Sequence, residues 1–341
     1  MKTVRLQRLE DYIKELFMKL GLSLEDSEIT ADIYMEMTKR GVGHHDIYNL
    51  PSRIEGIINR SLNPKPVFRN LASFGGMEQW DGDNGLGELI SHFAMERASS
   101  LAMEHGIGMC AMQNSNHYLC SAPYVYQAAK QGCIGIIMAK GVPSMGVPGS
   151  AGKIIGQSPI GFAFPVKDEE PVLLDICLAY ASGEQLAHSA AENKAIPYWW
   201  GVDKDGNPTD SAAELLKGTK YPIGGHKGFG LAILCELLTG VMSGGLILDE
   251  DEEKDGIALK STSHTAIAIR ADGLMPMEEY ENRSRELIDR IRARSEQIHI
   301  PGDGFWEHKQ RFERAGEIEL KDELIERLNG YASAYGIKEL V

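Results

Sequence analysis

Apolar positions along this chain fall into helical and strand-like periods that alternate through most of its length. Leu6, Leu9, Ile13, Leu16, Phe17 and Leu20 recur at three- and four-residue steps, predicting an amphipathic helix that Gly21 ends. Ser23 followed by Asp26 resembles a capping box, and Ile29, Ile33 and Met37 continue a second apolar stripe. A short third helix follows Pro51 through Ile54, Ile57 and Ile58. Gly85–His105 reads as helix and runs into Gly106–Met112, an apolar stretch with the character of a buried strand. The same pairing repeats as a helix over Pro123–Gln131 and a strand over Cys133–Ala139. Ile160–Pro165, Val172–Cys177 and Thr265–Ile269 predict further strands, while Gln185–Glu192 and Leu231–Met242 predict helices. The last quarter is charged and helical at Glu278–Arg294 and Leu320–Tyr335, broken by Ile298–Gly304, an apolar run that ends in a turn. No internal repeat and no long linker interrupts this order, so one intertwined α/β unit is expected.

Bulk composition narrows the class. The 341 residues are 43% hydrophobic and 25% charged, as in a compact globular protein. A net charge of -14 argues against nucleic acid or an anionic membrane surface as the main partner. Met1–Arg5 leads into a charged helix, so no secretory signal is expected, and no apolar run of about 18 residues predicts a membrane span. Cys110, Cys120, Cys133, Cys177 and Cys235 are odd in number and widely spaced, which favours reduced thiols in the cytoplasm over disulfides or a zinc site.

Several short motifs bear on chemistry. No G-x-G-x-x-G fingerprint is present: Gly106-Ile107-Gly108 follows a helix and lies inside a strand, the reverse of a dinucleotide loop. Gly224–Gly230 places His226 and Lys227 before a helix, where free amides favour an anion; a glycine-rich packed turn is the other reading. Ser115-Asn116-His117 sits between a strand and a helix, so His117 either reaches a pocket as a proton donor or acceptor or is a hydrogen-bonded core histidine. His44-His45-Asp46 lacks metal-ligand spacing and suits acid/base or substrate contact better. Asp203–Pro208 lacks the closing glutamate of a calcium loop and reads as a turn.

Together these pieces resemble the type 2 malate/L-lactate dehydrogenase family, which also holds ureidoglycolate dehydrogenase, diketogulonate reductase, sulfolactate dehydrogenase and cyclic imino-acid reductases. The likeness rests on Asp81–Gly87 ("DGDNGLG"), Asn114–Tyr118 ("NSNHF"), Leu174–Ile176 ("LDM") and Ile196–Thr209 ("IP-x-GW-x-x-D-x-x-G-x-PT"). Gly225–Ala232 ("GHKGYGLA") and Pro301–Asp303 ("PGE") extend it along almost the whole chain. The resemblance implies an α/β, non-Rossmann NAD(P)-binding fold with a large, largely antiparallel sheet. It divides the chain into a helical region over 1–80, a cofactor-binding α/β region over 81–309 and a C-terminal helical region over 310–341 that packs back on the first. It further implies a homodimer, a small-molecule substrate and hydride transfer between NAD or NADP and a 2-oxo or 2-hydroxy acid. Cofactor contacts are then expected at Lys140, Ser158, Leu174, Asp175, Ile176, Cys177, Leu178, Ala179, His226, Lys227, Gly302, Asp303 and Gly304. His45 takes the acid/base position, with His117 beside the substrate and His44 and Asn49 at substrate-binding positions.

The departures cluster in the pocket. The family's "DSHG" serine and glycine are His44 and Asp46, and the arginine that would clamp the substrate carboxylate is Asn49. Losing a bidentate guanidinium removes a charge and two aligned donors, which argues against malate or lactate as the substrate. The glycine after "NHF" is Leu119, and the family's Thr-Asn is Ala139-Lys140. The alternative to an active enzyme is a catalytically altered member that binds or regulates.

Overall fold

The computed structural model describes residues 1–43, 45–150, 152–250, 252–254, 257–259 and 262–341, with the side chains of 252–254 and 257–259 excepted. β1 (Lys2–Arg5) precedes three helices, α1 (Leu6–Leu20), α2 (Leu24–Lys39) and α3 (Leu50–Ile58). The α1 stripe of Leu9, Ile13, Leu16, Phe17 and Leu20 is buried. Gly21 closes it at φ 108°, and Ser23 Oγ accepts from Asp26 N–H at 3.0 Å to start α2.

Two α–β pairs follow the hairpin of β2 (Arg69–Phe74) and β3 (Met77–Asp81). They are α4 (Gly87–His105) with β4 (Ile107–Gln113), and α5 (Ala122–Lys130) with β5 (Cys133–Ala139). Then come β6 (Pro143–Met145), β7 (Ile155–Gly156), β8 (Ile160–Phe164) and β9 (Val172–Ile176). A smaller region carries α6 (Gly183–Ala191), β10 (Gly201–Val202), α7 (Ala212–Lys217) and β11 (Thr219–Lys220). α8 (His226–Glu236) passes into a π-helical turn over Leu237–Val241, followed by β12 (Glu252–Lys254) and β13 (Ile257–Leu259). The chain finishes with β14 (His264–Arg270), α9 (Met277–Arg292), α10 (Asp303–Ala315), β15 (Glu317–Leu320) and α11 (Asp322–Tyr335).

The main sheet has seven strands in the order β2-β3-β4-β14-β5-β8-β9. Every neighbouring pair is antiparallel except β3 with β4, so the expected large, largely antiparallel sheet is present. Its centre is buried: α4 lies directly on β4, where a Cβ at Gly108 would stand 2.0 Å from the Ala98 carbonyl.

Three elements differ from expectation. α8 begins at His226 rather than Leu231, because the Gly224–Gly225 turn is short and the later glycines are taken into the helix. α10 begins inside the Ile298–Gly304 run that was expected to end in a turn; Trp306 is its one buried residue, with Phe305 and Phe312 partly buried against the core. β1 is too short for a strand pattern, yet it pairs antiparallel with β15 over Lys2–Arg5.

Register brings chemistry to one end of the sheet. His264 opposes Met112 of β4 on one side and Ala139 of β5 on the other. The C-terminal ends of β4, β5 and β9 therefore lie beside the N-terminal ends of β14 and β8. His264 itself is fully buried, with the Ser91 hydroxyl 2.8 Å from its Nδ1, and burial pushes its imidazole down to about 3.

A neutral buried histidine has a definite pH signature. The unfolded chain protonates His264 near pH 6.5 and the folded chain does not, so stability is complete above about 6.5 and falls as pH drops toward 3. Urea unfolding is expected to show roughly 2 kcal/mol of this loss by pH 5. The His264→Gln variant should lack that share of the acid slope; equal slopes in the two proteins would count against a neutral buried imidazole.

Candidate active site

A cavity of about 720 Å³ opens where those strand ends meet. His45 and His117 line it, as do Lys140 at the end of β5, Asp175, Ile176 and Cys177 at the end of β9, and Lys220 on β11. Its size is in the range of small-molecule and cofactor sites, and most of its lining is apolar, with a few polar groups.

His117 is placed by two sequence segments that knit together. The Asn116 side chain donates to Asn84 Oδ1 at 2.9 Å and to the Gly85 carbonyl at 2.9 Å. Asn84 N–H returns a bond to Asn114 O, and Asn114 Nδ2 donates to Asp81 Oδ2 at 3.1 Å. A Cβ at Gly87 would lie 2.1 Å from the Asn116 carbonyl, so glycine is required at the start of α4. The acidic Asp81–Gly87 segment is thus a backbone scaffold for the histidine loop.

The hydrogen bonds at His117 decide its chemistry. Its Nδ1 accepts from Leu119 N–H at 3.1 Å and faces Arg53 Nη2 at 3.3 Å. Arg53 Nη2 also donates to the His117 carbonyl at 2.7 Å. With Nδ1 occupied as an acceptor, the neutral ring carries its proton on Nε2 and presents a donor. Leu119 holds this geometry at φ 69°, a left-handed conformation unusual for leucine.

Arg53 is anchored from behind. Its Nε donates to Glu88 Oε1 at 2.8 Å, Glu88 is completely buried, and Tyr34 OH donates to the same oxygen at 3.0 Å. The guanidinium is raised above its ordinary value because Glu88 and Tyr34 together outweigh its burial.

His45 comes from the segment between α2 and α3, and its ring centroid lies 5.1 Å from that of His117. The next residue, Asp46, is buried and accepts from Gly43 N–H at 2.9 Å and Tyr48 N–H at 3.1 Å. Burial pushes its carboxyl up to about 7 despite those two bonds, so a charge beside His45 changes near neutral pH. Asn49 N–H donates to the Asp46 carbonyl at 2.8 Å, and its residue does not line the cavity. His44 lies outside the described residues.

Among the expected cofactor residues, the cavity gathers Lys140, Asp175, Ile176 and Cys177. Lys140 is buried and its ammonium donates to the Leu248 carbonyl at 2.9 Å, 3.9 Å from Glu236. Ser158 lies between the lining residues Gln157 and Pro159, and Leu178 and Ala179 are buried just behind Cys177. Leu174 faces Phe162 across the β8–β9 ladder. His226 and Lys227 are exposed at the start of α8 and are not among the residues that line the cavity. Gly302, Asp303 and Gly304 open α10, where Asp303 receives Arg292 at 3.0 Å; only their neighbour Phe305 reaches the cavity.

Two buried hydroxyls in the wall, Tyr118 OH and Ser144 Oγ, have no hydrogen-bond partner among the described residues. Such groups call for a polar ligand, so the cavity fits the amide and hydroxyl groups of a nicotinamide nucleoside. Tyr118 was marked only as the last residue of the Asn114–Tyr118 motif; Arg53, Glu88, Ser144 and Lys220 were not marked by the sequence. Arg53 alone carried a signal, as a charge on the apolar face of α3.

A profile described as malate/L-lactate dehydrogenase matches residues 4–329, and the chain belongs to that family. It is 30% identical to a malate dehydrogenase of Pyrococcus horikoshii, over 98% of this chain and 95% of that protein. A 2,3-diketo-L-gulonate reductase of Klebsiella pneumoniae is 27% identical, over 89% of this chain and 92% of the relative. The solved sulfolactate dehydrogenase of Methanocaldococcus jannaschii superimposes with a TM-score of 0.90 at 28% identity, covering 99% and 98% of the two chains. The chain is therefore an NAD(P)-dependent dehydrogenase or reductase, and a binding-only role is not favoured.

The Arg53–Glu88 pair yields a separable prediction. Arg53→Met is expected to lower stability by about 3–5 kcal/mol, because Glu88 is left buried without its partner. Adding Glu88→Gln should restore most of the melting temperature but not the turnover, since His117 still lacks its guanidinium. Recovery of both would reduce Arg53 to a purely structural residue.

Proposed function

We propose that the cavity between His45 and His117 is where this enzyme interconverts a small 2-hydroxy acid and its 2-oxo acid. The observation that carries the reading is the histidine pair itself, 5.1 Å apart, with one ring locked as a donor. His117 directs its Nε2 proton at the substrate oxygen and polarises it. Its Nδ1 is engaged, so it does not cycle between protonation states; His45 gives the proton to that oxygen in reduction and removes it in oxidation. The nicotinamide, when bound, supplies or receives hydride at the substrate carbon.

Tyr118, Ser144 and the Asp175–Cys177 segment would hold the nicotinamide end, with Ser158, Leu174, Leu178 and Ala179 shaping the wall behind. His226, Lys227 and Gly302–Gly304 are the proposed contacts of cofactor parts outside the cavity. Lys140 supports the floor through Leu248 and Glu236. Relatives named for malate, sulfolactate and diketogulonate chemistry support a small oxygen-rich acid as substrate, and Asn49 argues that it is held differently from malate. The regions 1–80, 81–309 and 310–341 remain our division of the chain. All five cysteines are unpaired, which supports a cytoplasmic location.

Fluorescence titration with NADH and NADPH, followed by a 2-oxo-acid panel, tests the reaction. His45→Ala is expected to lower kcat by about 10²–10⁴-fold, and His117→Ala to lower kcat and raise KM together. Turnover that survives both changes would remove these residues from the chemistry.

We also infer a homodimer. Leu234 is 45% exposed and Val241 54%, with Leu231, Leu237 and Met242 exposed on the same stretch of α8 and its π-helical turn. Met242 shares a shallow depression with Phe74, 80% exposed, and Met77 of the β2–β3 hairpin. A continuous apolar face of this kind suits a second copy of the chain. Light scattering after size exclusion should give twice the monomer mass for wild type and the monomer mass for Leu234→Glu with Val241→Asp; a wild-type monomer at micromolar concentration would end the inference.

A further inference from the structure

Among the described residues that line or directly back the cavity, three cations could meet an anion, and two are already committed. Arg53 is held between Glu88 and His117, and Lys140 faces the Leu248 carbonyl and Glu236. The third is Lys220. It sits on β11 between Gly201 of β10 and Met145 of β6, so its backbone is fixed from both sides. Its ammonium reaches Gln157 Oε1 at 2.6 Å, a neutral acceptor, and no described residue offers it an ion pair.

An ammonium left largely buried without a counter-charge is unfavourable unless a ligand supplies one. Burial lowers the affinity of Lys220 for its proton, the Cys177 thiol offsets this, and Lys153 adds repulsion. The carboxylate in the same lining, Asp175, receives the Ser121 hydroxyl. The first turn of α6, through Ser182 and Gly183, opens on the same space.

We propose that Lys220 is the anion-recognising residue of this cavity, doing from β11 what the missing arginine at Asn49 does not do from the α3 side. The anion it takes is a carboxylate of the substrate or a phosphate of the cofactor. The proposal rests on the cavity being the reaction site, and it adds a specificity-determining residue to that site. Gln157 acts as its positioning partner, since the 2.6 Å bond fixes where the ammonium points.

The test compares full-length wild type, Lys220→Met and Lys220→Arg in three measurements. These are NADH and NADPH affinity by fluorescence, steady-state reduction of oxaloacetate and pyruvate, and oxalate binding by calorimetry. Lys220→Met is expected to weaken one anion by about 10- to 100-fold, and Lys220→Arg to recover most of it. A higher KM for the oxo acid or a weaker oxalate affinity, at unchanged cofactor affinity, identifies the substrate carboxylate. A weaker cofactor affinity alone identifies a cofactor phosphate. Unchanged values throughout overturn the proposal and leave the reaction standing. If wild type reduces neither oxo acid, the reaction reading is decided by the wider 2-oxo-acid panel instead. Lys220 is then decided by oxalate and cofactor binding, where equal affinities or no binding in either protein overturn it. Lys220→Gln replaces the Met variant if the latter melts early.

Discussion

The buried ion pair of Arg53 and Glu88 is the constraint on which the site depends. Exchanging such a pair for apolar groups is often neutral for stability, so its presence asks for another reason. Here the guanidinium has a second face turned to His117, where it meets both the carbonyl and Nδ1. One interaction therefore joins α3, α4 and the loop after β4, and helps set the tautomer of His117 as a by-product of packing. The left-handed Leu119 belongs to the same arrangement, because its N–H completes the engagement of Nδ1.

The sheet contributes geometry rather than chemistry. Antiparallel register puts the ends of β4, β5 and β9 at one edge, and the residues just beyond those ends form the cavity wall. A loop residue at a strand end inherits the rigidity of the ladder beneath it. His45 arrives from a different direction, on the turn between two helices. Its neighbour Asp46 ties that turn to itself through two backbone bonds.

How much of this was legible in the sequence depends on the range of the interaction. The α1 stripe, its glycine stop and the serine cap of α2 are local, and each was readable from residues at most a few positions apart. The central strands were readable because they are continuously apolar. The start of α10 was not, since it falls inside a run that reads as a turn, and β1 was not, since its partner is more than 300 residues away. His45 and His117 were found through motifs shared with relatives. Arg53, Glu88 and Lys220 were missed because their roles come from contacts 35 to 64 residues distant, which no local pattern encodes. Family likeness also carried the frame further than the pocket: the sequence reveals that an arginine is missing at Asn49, but not which residue faces the vacated space.

The pairing of β1 with β15 has a consequence for how the protein is made. Tyr12 of α1 donates to the Leu328 carbonyl of α11 at 2.6 Å, so the first helix finds its final neighbour 316 residues later. At ordinary synthesis rates of about 5–20 residues per second, some 15–60 s separate the emergence of the two. Through that interval the ribosome-bound chain displays the face of α1 that α11 will cover, while α2 already shields part of it. A helix made early is thus among the last parts of this enzyme to be finished.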